Sequence, residues 1–427
     1  MPKESENRPS VVVIGGGYAG IRAARELDDI ADVILVEPRD SFRHNVAALR
    51  ATVQPDWAHN IFMSYERLLT RGKVVHERAA RVEPGYVELA SGQVLRPDFL
   101  VLATGSRYPF PAKDWEESSE KSKDNYMRTA KELERAQHAV ILGAGAVGIE
   151  MAGEILAQWP GKKVTLVDPS SDVLGGNYPE KLRTALRKMI TEAGVDLRLG
   201  EGLTKLPDEP AGVVAPFTAQ TTTGRTIEAD LWVRCFGGAV PSEYLAGSLT
   251  GARNDSGTVR VGSDMRVEGH KTVYAVGDIA DLGLPTAFLA DIQAEVAAKN
   301  IRRHIGGEEE GQDAVFADPF PHLVVPFGPG KGIGWLVHQE DLLDYASVAQ
   351  LGRPPARGHV HGQAGPDRGR LEPRPLSLFG NEHPSGEPAF RRWNPNSGDV
   401  TPGRHPPRWP CRGSPNRHPP LSEGEAQ

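Results

Sequence analysis

The chain has 427 residues, 39% of them hydrophobic, and carries 49 Lys+Arg against 56 Asp+Glu, a length that gives room for two to three domains. Eleven Arg and 7 acids fall after residue 350, so the first 350 residues hold 38 basic against 49 acidic side chains, and so acidic a body argues against nucleic acid as the main partner. Cys235 and Cys411 lie 176 positions apart, which excludes a vicinal disulfide reductase and any cysteine-built zinc or iron–sulfur site, so no metal is expected.

In chain order, an apolar strand over 11–14 leads into Gly15-Gly16-Gly17-Tyr18-Ala19-Gly20, a helix over 21–27 and a strand over 33–36 ending at Glu37. Gly15 permits the tight turn, Gly17 lets backbone approach a pyrophosphate, and Gly20 lets the helix pack on the strand. The phosphates then sit at the helix N-terminus, where unpaired N–H groups and the dipole favour negative charge. Glu37, 22 positions after Gly15, is placed to accept both ribose hydroxyls. An alternating stretch over 81–95, with turns at Pro84-Gly85 and Ser91-Gly92, reads as an antiparallel excursion. A strand over 99–103 ends in Ala103-Thr104-Gly105, where the chain can cross the first dinucleotide and enter a second domain.

The same unit is then written again. A strand over 140–142, the turn Gly143-Ala144-Gly145-Ala146-Val147-Gly148, a helix, a strand over 164–167 and Asp168 repeat the first pattern, with Asp168 25 positions after Gly143. Gly143, Gly145 and Gly148 take the roles of Gly15, Gly17 and Gly20. The fold class expected is therefore α/β with two Rossmann-like dinucleotide-binding domains. A carboxylate at 168 binds a free 2′-hydroxyl and repels a 2′-phosphate, so NADH is expected over NADPH; neighbouring Lys162 and Lys163 leave NADPH open as a second donor. Glu150 and Glu154 read as exposed acids complementing the helix dipole, a reading that suits Glu154, whereas Glu150 directly follows the glycine turn and can face the nicotinamide.

A second antiparallel excursion is expected over 213–233, around Gly224. Cys235 reads as a buried strand residue, not a nucleophile. A strand over 272–276 ends in Val276-Gly277-Asp278, and an alanine-rich helix follows over 285–305. Two nucleotide folds in one chain suggest that one holds a flavin, with Asp278 bonding its ribityl chain and the helix after Pro285 directing its positive end at the pyrimidine. The expected division is a FAD-binding domain over 8–112 and 246–308, a nicotinamide-binding domain inserted at 113–245, a C-terminal segment over 309–345 and a disordered tail over 346–427. From 351 onward, 15 Pro and 11 Gly among 77 residues with no sustained apolar period leave nothing to build a core. No apolar run approaches the roughly 18 residues of a spanning helix, and residues 1–10 are polar, so a cytoplasmic protein is expected, or one touching the inner face of a membrane peripherally.

Asp40-Ser41-Phe42-Arg43-His44-Asn45-Val46-Ala47-Ala48-Leu49-Arg50, Gly148-Ile149-Glu150-Met151-Ala152-Gly153-Glu154 and Val273-Tyr274-Ala275-Val276-Gly277-Asp278-Ile279-Ala280-Asp281 carry a more specific signal. Through them the chain, over about residues 10 to 335, resembles the two-dinucleotide flavoproteins, or pyridine nucleotide-disulfide oxidoreductases. Within these it resembles the apoptosis-inducing-factor-like and ferroptosis-suppressor-like NAD(P)H:quinone reductases. The resemblance implies FAD in the first site, a nicotinamide dinucleotide in the second, and hydride flow to a quinone or another small-molecule acceptor. It also implies that Glu150 and Asp278 stand where the family has its critical acids. His44 and Phe42 are expected to line the far side of the flavin, where an acceptor enters; for His44 a structural role is the alternative.

The chain departs from that family in two places. Pro2 stands where a myristoylation signal requires glycine, so that anchor is expected to be absent. The family-like sequence stops after 324–334, and the Arg- and Pro-rich, Lys-free remainder reads as a coding region in a shifted frame or as a disordered linker. Two rival functions remain at this level, a reductase of an iron–sulfur protein and a redox-sensing module that binds NADH and FAD.

Overall fold

The computed structural model describes residues 8–176, 178–308, 313–317, 322–336 and 342–344, all inside the compact unit of residues 1–379. The expectations for Pro2 and for the tail over 346–427 lie outside the described residues. Six α-helices are described: α1 Tyr18–Leu27, α2 Ala48–Val53, α3 Ser119–Arg135, α4 Ala146–Gln158, α5 Glu180–Glu192 and α6 Ala287–Ile305.

Ser10–Ile14 is the middle strand of a five-stranded parallel sheet, ordered Val273–Ala275, Phe99–Leu102, Ser10–Ile14, Asp32–Val36, Lys73–Val75. Val11 stands opposite Val33 on one side and Phe99 on the other. Side chains alternate across a strand. Val11 and Val13 therefore join Ala23, Ala24 and Leu27 of α1 and Ala294, Ala297 and Ile301 of α6. Val12, Ile14, Leu100 and Leu102 point the other way, onto Val82, Val87 and Leu89 of an antiparallel sheet, Ala79–Glu83, Tyr86–Leu89 and Val94–Leu95. Covering both faces is why these strands read as unbroken apolar runs. Each fully buried Leu or Val contributes about 1.5–3 kcal/mol relative to exposure, so burial outweighs strand propensity here.

A second parallel sheet repeats the plan in the order Asp196–Leu199, Lys163–Asp168, His138–Leu142, Leu231–Arg234. Ile141, Leu166 and Val233 face Ile149 and Ile155 of α4, Leu133 of α3 and Leu182 and Leu186 of α5. Val140, Leu142, Val167 and Trp232 face Phe217 and Ile227 on the hairpin Phe217–Gln220 with Thr226–Ala229.

One local expectation changes, and two features appear for which the sequence raised none. The antiparallel excursion expected to run to 233 stops at Ala229; Leu231–Arg234 pairs in parallel with His138–Leu142, because Leu231, Trp232 and Val233 are buried on both faces. Helices α3 and α5 did not stand out in a charge-rich sequence, yet each buries a stripe at helical spacing: Ser122, Tyr126, Thr129 and Leu133 in one, Leu182, Leu186 and Ile190 in the other. Past α6, His322–Pro326, Gly332–Leu336 and Leu342–Asp344 form an antiparallel sheet. Its turn lies against α4, where a Cβ on Gly153 would sit 2.5 Å from Gly328 N.

Two segments connect the parallel sheets, and backbone bonds stitch them together. Arg107 N donates to Ala239 O at 2.6 Å and Ala239 N to Arg107 O at 3.0 Å. Thr104 Oγ1 lies 3.1 Å from the Tyr244 hydroxyl. Among the described residues no helix is long and apolar enough to cross a membrane, and no group of three or more His, Cys, Asp or Glu is disposed to hold a metal ion.

Candidate active site

The first glycine turn is built as its sequence requires. Gly15 has φ +103°, and a Cβ there would strike the Ala103 carbonyl; one on Gly20 would overlap the Gly15 carbonyl. Gly17, the N-cap of α1, differs: a Cβ on it would meet nothing within 4 Å. No side chain caps α1 and no acid occupies its first turn, so the N–H groups of that turn have no side-chain acceptor, which suits a diphosphate.

Glu37 is 2% exposed. Its Oε2 accepts from Gly16 N at 2.6 Å and from Arg39 Nη2 at 2.8 Å, and its Oε1 from Arg39 Nε at 2.7 Å and Arg39 N at 3.0 Å. Burial raises this carboxyl, and the hydrogen bonds and charge of Arg39 outweigh that, so the net displacement is below the ordinary carboxylate range. Four donors fill both oxygens, so ribose hydroxyls reach Glu37 only if the guanidinium of Arg39 swings aside. Arg39 was not singled out in the sequence, because a guanidinium two residues past a strand end carries no positional signal of its own. Tyr65 donates to Gly16 O at 2.7 Å and closes the turn from the other side.

Asp278 comes to the same place from the far end of the chain. Gly277, at φ +76°, lies against Ala19 of α1, and its N–H donates to Gln293 Oε1 of α6 at 2.7 Å. Asp278 Oδ2 accepts from Ser106 Oγ at 2.5 Å and from Lys113 Nζ at 3.3 Å, while Lys113 also reaches Ser106 O at 2.8 Å. Ser106 and Lys113 follow Ala103-Thr104-Gly105 and had no signal in spacing; the fold alone delivers them. His44 joins this edge, with its Nδ1 2.9 Å from the Tyr18 hydroxyl, which itself accepts from Val46 N at 3.2 Å. Burial pushes His44 below the ordinary histidine value and Tyr18 above the ordinary phenol value. Both groups are therefore neutral, and which of them donates in the bond between them follows the His44 tautomer. Phe42 packs edge-on to Tyr18, with ring centroids 5.2 Å apart. Helix α6 starts at Ala287, and Thr286 caps it by accepting from Leu289 N at 3.2 Å, so one of its first-turn donors is already used.

The second turn copies the first. Gly143 has φ +111° and a Cβ on it would be 2.5 Å from Cys235 O, a Cβ on Gly148 would overlap the Gly143 carbonyl, and one on Gly145, the N-cap of α4, would meet nothing within 4 Å. Asp168 Oδ2 accepts from Ala144 N and Oδ1 from Ser170 N, each at 2.7 Å. This is the Gly16–Glu37 bond repeated, with no guanidinium over the acid among the described residues. Lys162 and Lys163 do not stand beside Asp168. Lys162 Nζ is held by Ala136 O at 2.6 Å and Glu134 O at 3.1 Å, and Lys163 begins the strand that Asp168 ends. Cys235 is 2% exposed, and burial pushes its thiol up to about 12, so it is no nucleophile.

Glu150 and Glu154 separate. Glu150 keeps part of its surface accessible, and desolvation followed by the charge of Glu154 pushes its carboxyl up to about 8 against an opposing pull from Arg50. The reading of Glu154 as an exposed dipole-complementing acid is wrong: it is 1% exposed and paired with Arg50 Nη2 at 3.1 Å. It lies more than two turns into α4, where helix α2 covers it.

Two such clefts on one chain, without a redox cysteine pair, define an oxidoreductase that uses FAD and a nicotinamide dinucleotide. The chain belongs to the pyridine nucleotide-disulphide oxidoreductase family, whose model matches residues 9–300. Ferroptosis suppressor protein 1 of Homo sapiens is 34% identical over 299 residues, covering 68% of this chain and 79% of that protein. Apoptosis-inducing factor homolog B of Dictyostelium discoideum is 30% identical over 348 residues, covering 77% of this chain and 90% of its own. Among solved structures, NDH2 from Plasmodium falciparum in complex with RYL-552 superposes with a TM-score of 0.64 at 12% identity, over 79% of this chain and 91% of that one. The ferredoxin reductase of the CYP199A2 system from Rhodopseudomonas palustris gives 0.61 at 18% identity, over 77% and 82%.

Proposed function

We propose that this chain takes hydride from NADH and passes the electrons to a quinone, with NADH + H⁺ + quinone giving NAD⁺ + quinol. FAD would lie in the cleft of Gly15, Gly17, Gly20, Glu37, Ala103, Thr104, Gly105, Gly277 and Asp278. NADH would lie in that of Gly143, Gly145, Gly148 and Asp168, with Glu150 at the nicotinamide. The observation that carries the reading is the pair of open, uncapped helix starts at Gly17 and Gly145, each followed by an acid bonded to its own glycine turn. What the flavin supplies when bound is the acceptance of a hydride and the onward release of two electrons.

The protein residues place and protonate. Uncapped N–H groups hold the diphosphates, and facing the two rings converts hydride transfer into a positioning problem. Asp278, with Ser106 and Lys113, would hold the ribityl chain of the flavin, and the neutral His44–Tyr18 pair would be a hydrogen-bonded couple on the side open to an acceptor. Phe42 and exposed Val46 make that side apolar, in keeping with a quinone, which the resemblance of 40–50 implies. The proposed meeting with a lipid-borne quinone is peripheral. The domain division at 112–113, 245–246 and 308–309 is part of this proposal.

Anaerobic stopped-flow tests it. Mixing with NADH bleaches the flavin band, and mixing the reduced protein with a water-soluble quinone restores it in milliseconds to seconds. A long-wavelength band that persists in the presence of quinone overturns the reading in favour of a redox sensor. The donor preference has its own check. Asp168→Asn keeps the acceptor for Ala144 N and removes the charge, so NADPH affinity should rise on the order of tenfold or more while flavin content stays unchanged, as read by titration with each dinucleotide.

A further inference from the structure

Helices α2 and α4 belong to different nucleotide-binding units and lie side by side, and two polar pairs cross the seam at the same four-residue spacing. Arg50 Nη2 meets Glu154 Oε1 at 3.1 Å, and Gln54 Nε2 meets Gln158 Oε1 at 3.2 Å. The ion pair is poorly compensated: Glu154 Oε2 and Arg50 Nε are both buried without a hydrogen-bond partner. Such a pair adds little net stability, since two well-packed apolar side chains would hold the seam as well. Its position is the informative part. Glu154 lies one helical turn beyond Glu150; desolvation and then the charge of Glu154 raise the Glu150 carboxyl, and Arg50 opposes them across the seam. Cys235, which also feels Glu150, is neutral. The other elements packed on α4, namely the strands His138–Leu142, Lys163–Asp168 and His322–Pro326, add no charge that displaces Glu150 among the described residues.

We propose that Arg50 and Glu154 are positioning residues that set the charge of Glu150 at the nicotinamide, so that Glu150 tells the oxidised ring from the reduced one by its proton. This rests on the reading that Glu150 faces the nicotinamide. The oxidised ring is a cation and binds better beside a carboxylate; the reduced ring is neutral and loses nothing beside a carboxylic acid. With the Glu150 carboxyl poised at about 8, both forms are populated near neutrality, and exchange of NAD⁺ for NADH is linked to uptake of one proton. Arg50 comes from the flavin-binding unit, so its lowering pull on Glu150 reaches from one unit into the other.

The test is NAD⁺ binding to the oxidised, FAD-loaded full chain, followed by calorimetry from pH 6 to 10, with no turnover involved. The parent should bind NAD⁺ several-fold more tightly above a midpoint near 8 than below it. Glu150→Gln should abolish the step. Glu154→Gln keeps shape and a bond to Arg50 but loses the charge, so the midpoint should fall by roughly one pH unit. Arg50→Gln should raise it, and if that variant does not fold, Glu154→Gln decides alone. A step that is lost in Glu150→Gln yet keeps its midpoint in Glu154→Gln overturns the proposal and spares the assignment of Glu150. A step that survives Glu150→Gln overturns that assignment itself.

Discussion

Gly17→Ala is expected to fold as stably as the parent and to lose its hold on FAD. The new methyl group meets no protein atom within 4 Å, and φ −79°, ψ −167° is extended backbone that alanine adopts freely, so melting of the apoprotein should move by less than about 0.5 kcal/mol. The same methyl group stands where backbone must approach a diphosphate, and a loss of 10- to 100-fold in affinity, about 1.4–2.7 kcal/mol, is expected. Flavin absorbance per polypeptide, then titration of the apoprotein with FAD, reads it. Gly145→Ala is the matched control: it should keep its flavin and lose affinity for NADH alone. Equal loss of both cofactors in either variant would mean that the two clefts are not separate sites. Gly20→Ala differs in kind, because its Cβ would overlap the Gly15 carbonyl and disturb the fold before any ligand is added.

Arg43→Met should be among the most destabilising single changes in the chain. Arg43 is 4% exposed and Asp114 6%. The guanidinium donates to Asp114 O at 2.8 Å and to the Glu116 carbonyl, and its Nη1 stands 3.8 Å from Asp114 Oδ1. Methionine fills much of the volume but leaves the Asp114 carboxylate buried with only Asn125 Nδ2, at 3.2 Å, and Glu116 N, at 2.9 Å, to answer it. Breaking a buried pair from one side costs about 3–5 kcal/mol. Denaturant unfolding followed by tryptophan fluorescence measures it; a change under about 1 kcal/mol would show that the pair is solvated. Arg43→Lys should recover only part of the loss, since an ammonium cannot reach two carbonyls in the plane of a fork. Arg43 precedes His44 and grips the segment after Lys113, so the variant should also loosen both edges of the flavin cleft.

The repeated strand–glycine–helix–strand–acid unit was legible because its constraints are local: Gly15 and Gly143 need positive φ, and four apolar residues in a row need two covered faces. Asp278 was legible only through its order after two such units. The residues that answer these acids were not. Arg39 over Glu37, Lys113 on Asp278 and Arg50 on Glu154 are separated from their partners by 2, 165 and 104 positions, and nothing in periodicity or spacing predicts which cation meets which acid. Glu154 misled for the same reason. An acid on a helix is solvent-facing by default, and only the arrival of α2 from the other unit buries it. The same limit applied to 231–233, where a hairpin and a parallel strand carry similar alternation until burial on the second face is known.

The turn that follows His322–Pro326 presses its backbone on α4 at Gly153, three residues beyond Glu150, while Arg50 holds the adjoining face at Glu154 one residue further on. A rod held on two adjoining faces resists rolling and sliding, so the bearing of the Glu150 carboxyl near its tip is governed by parts of the chain distant in sequence. Substitution around 327 would therefore be felt at Glu150 as well as in the local packing.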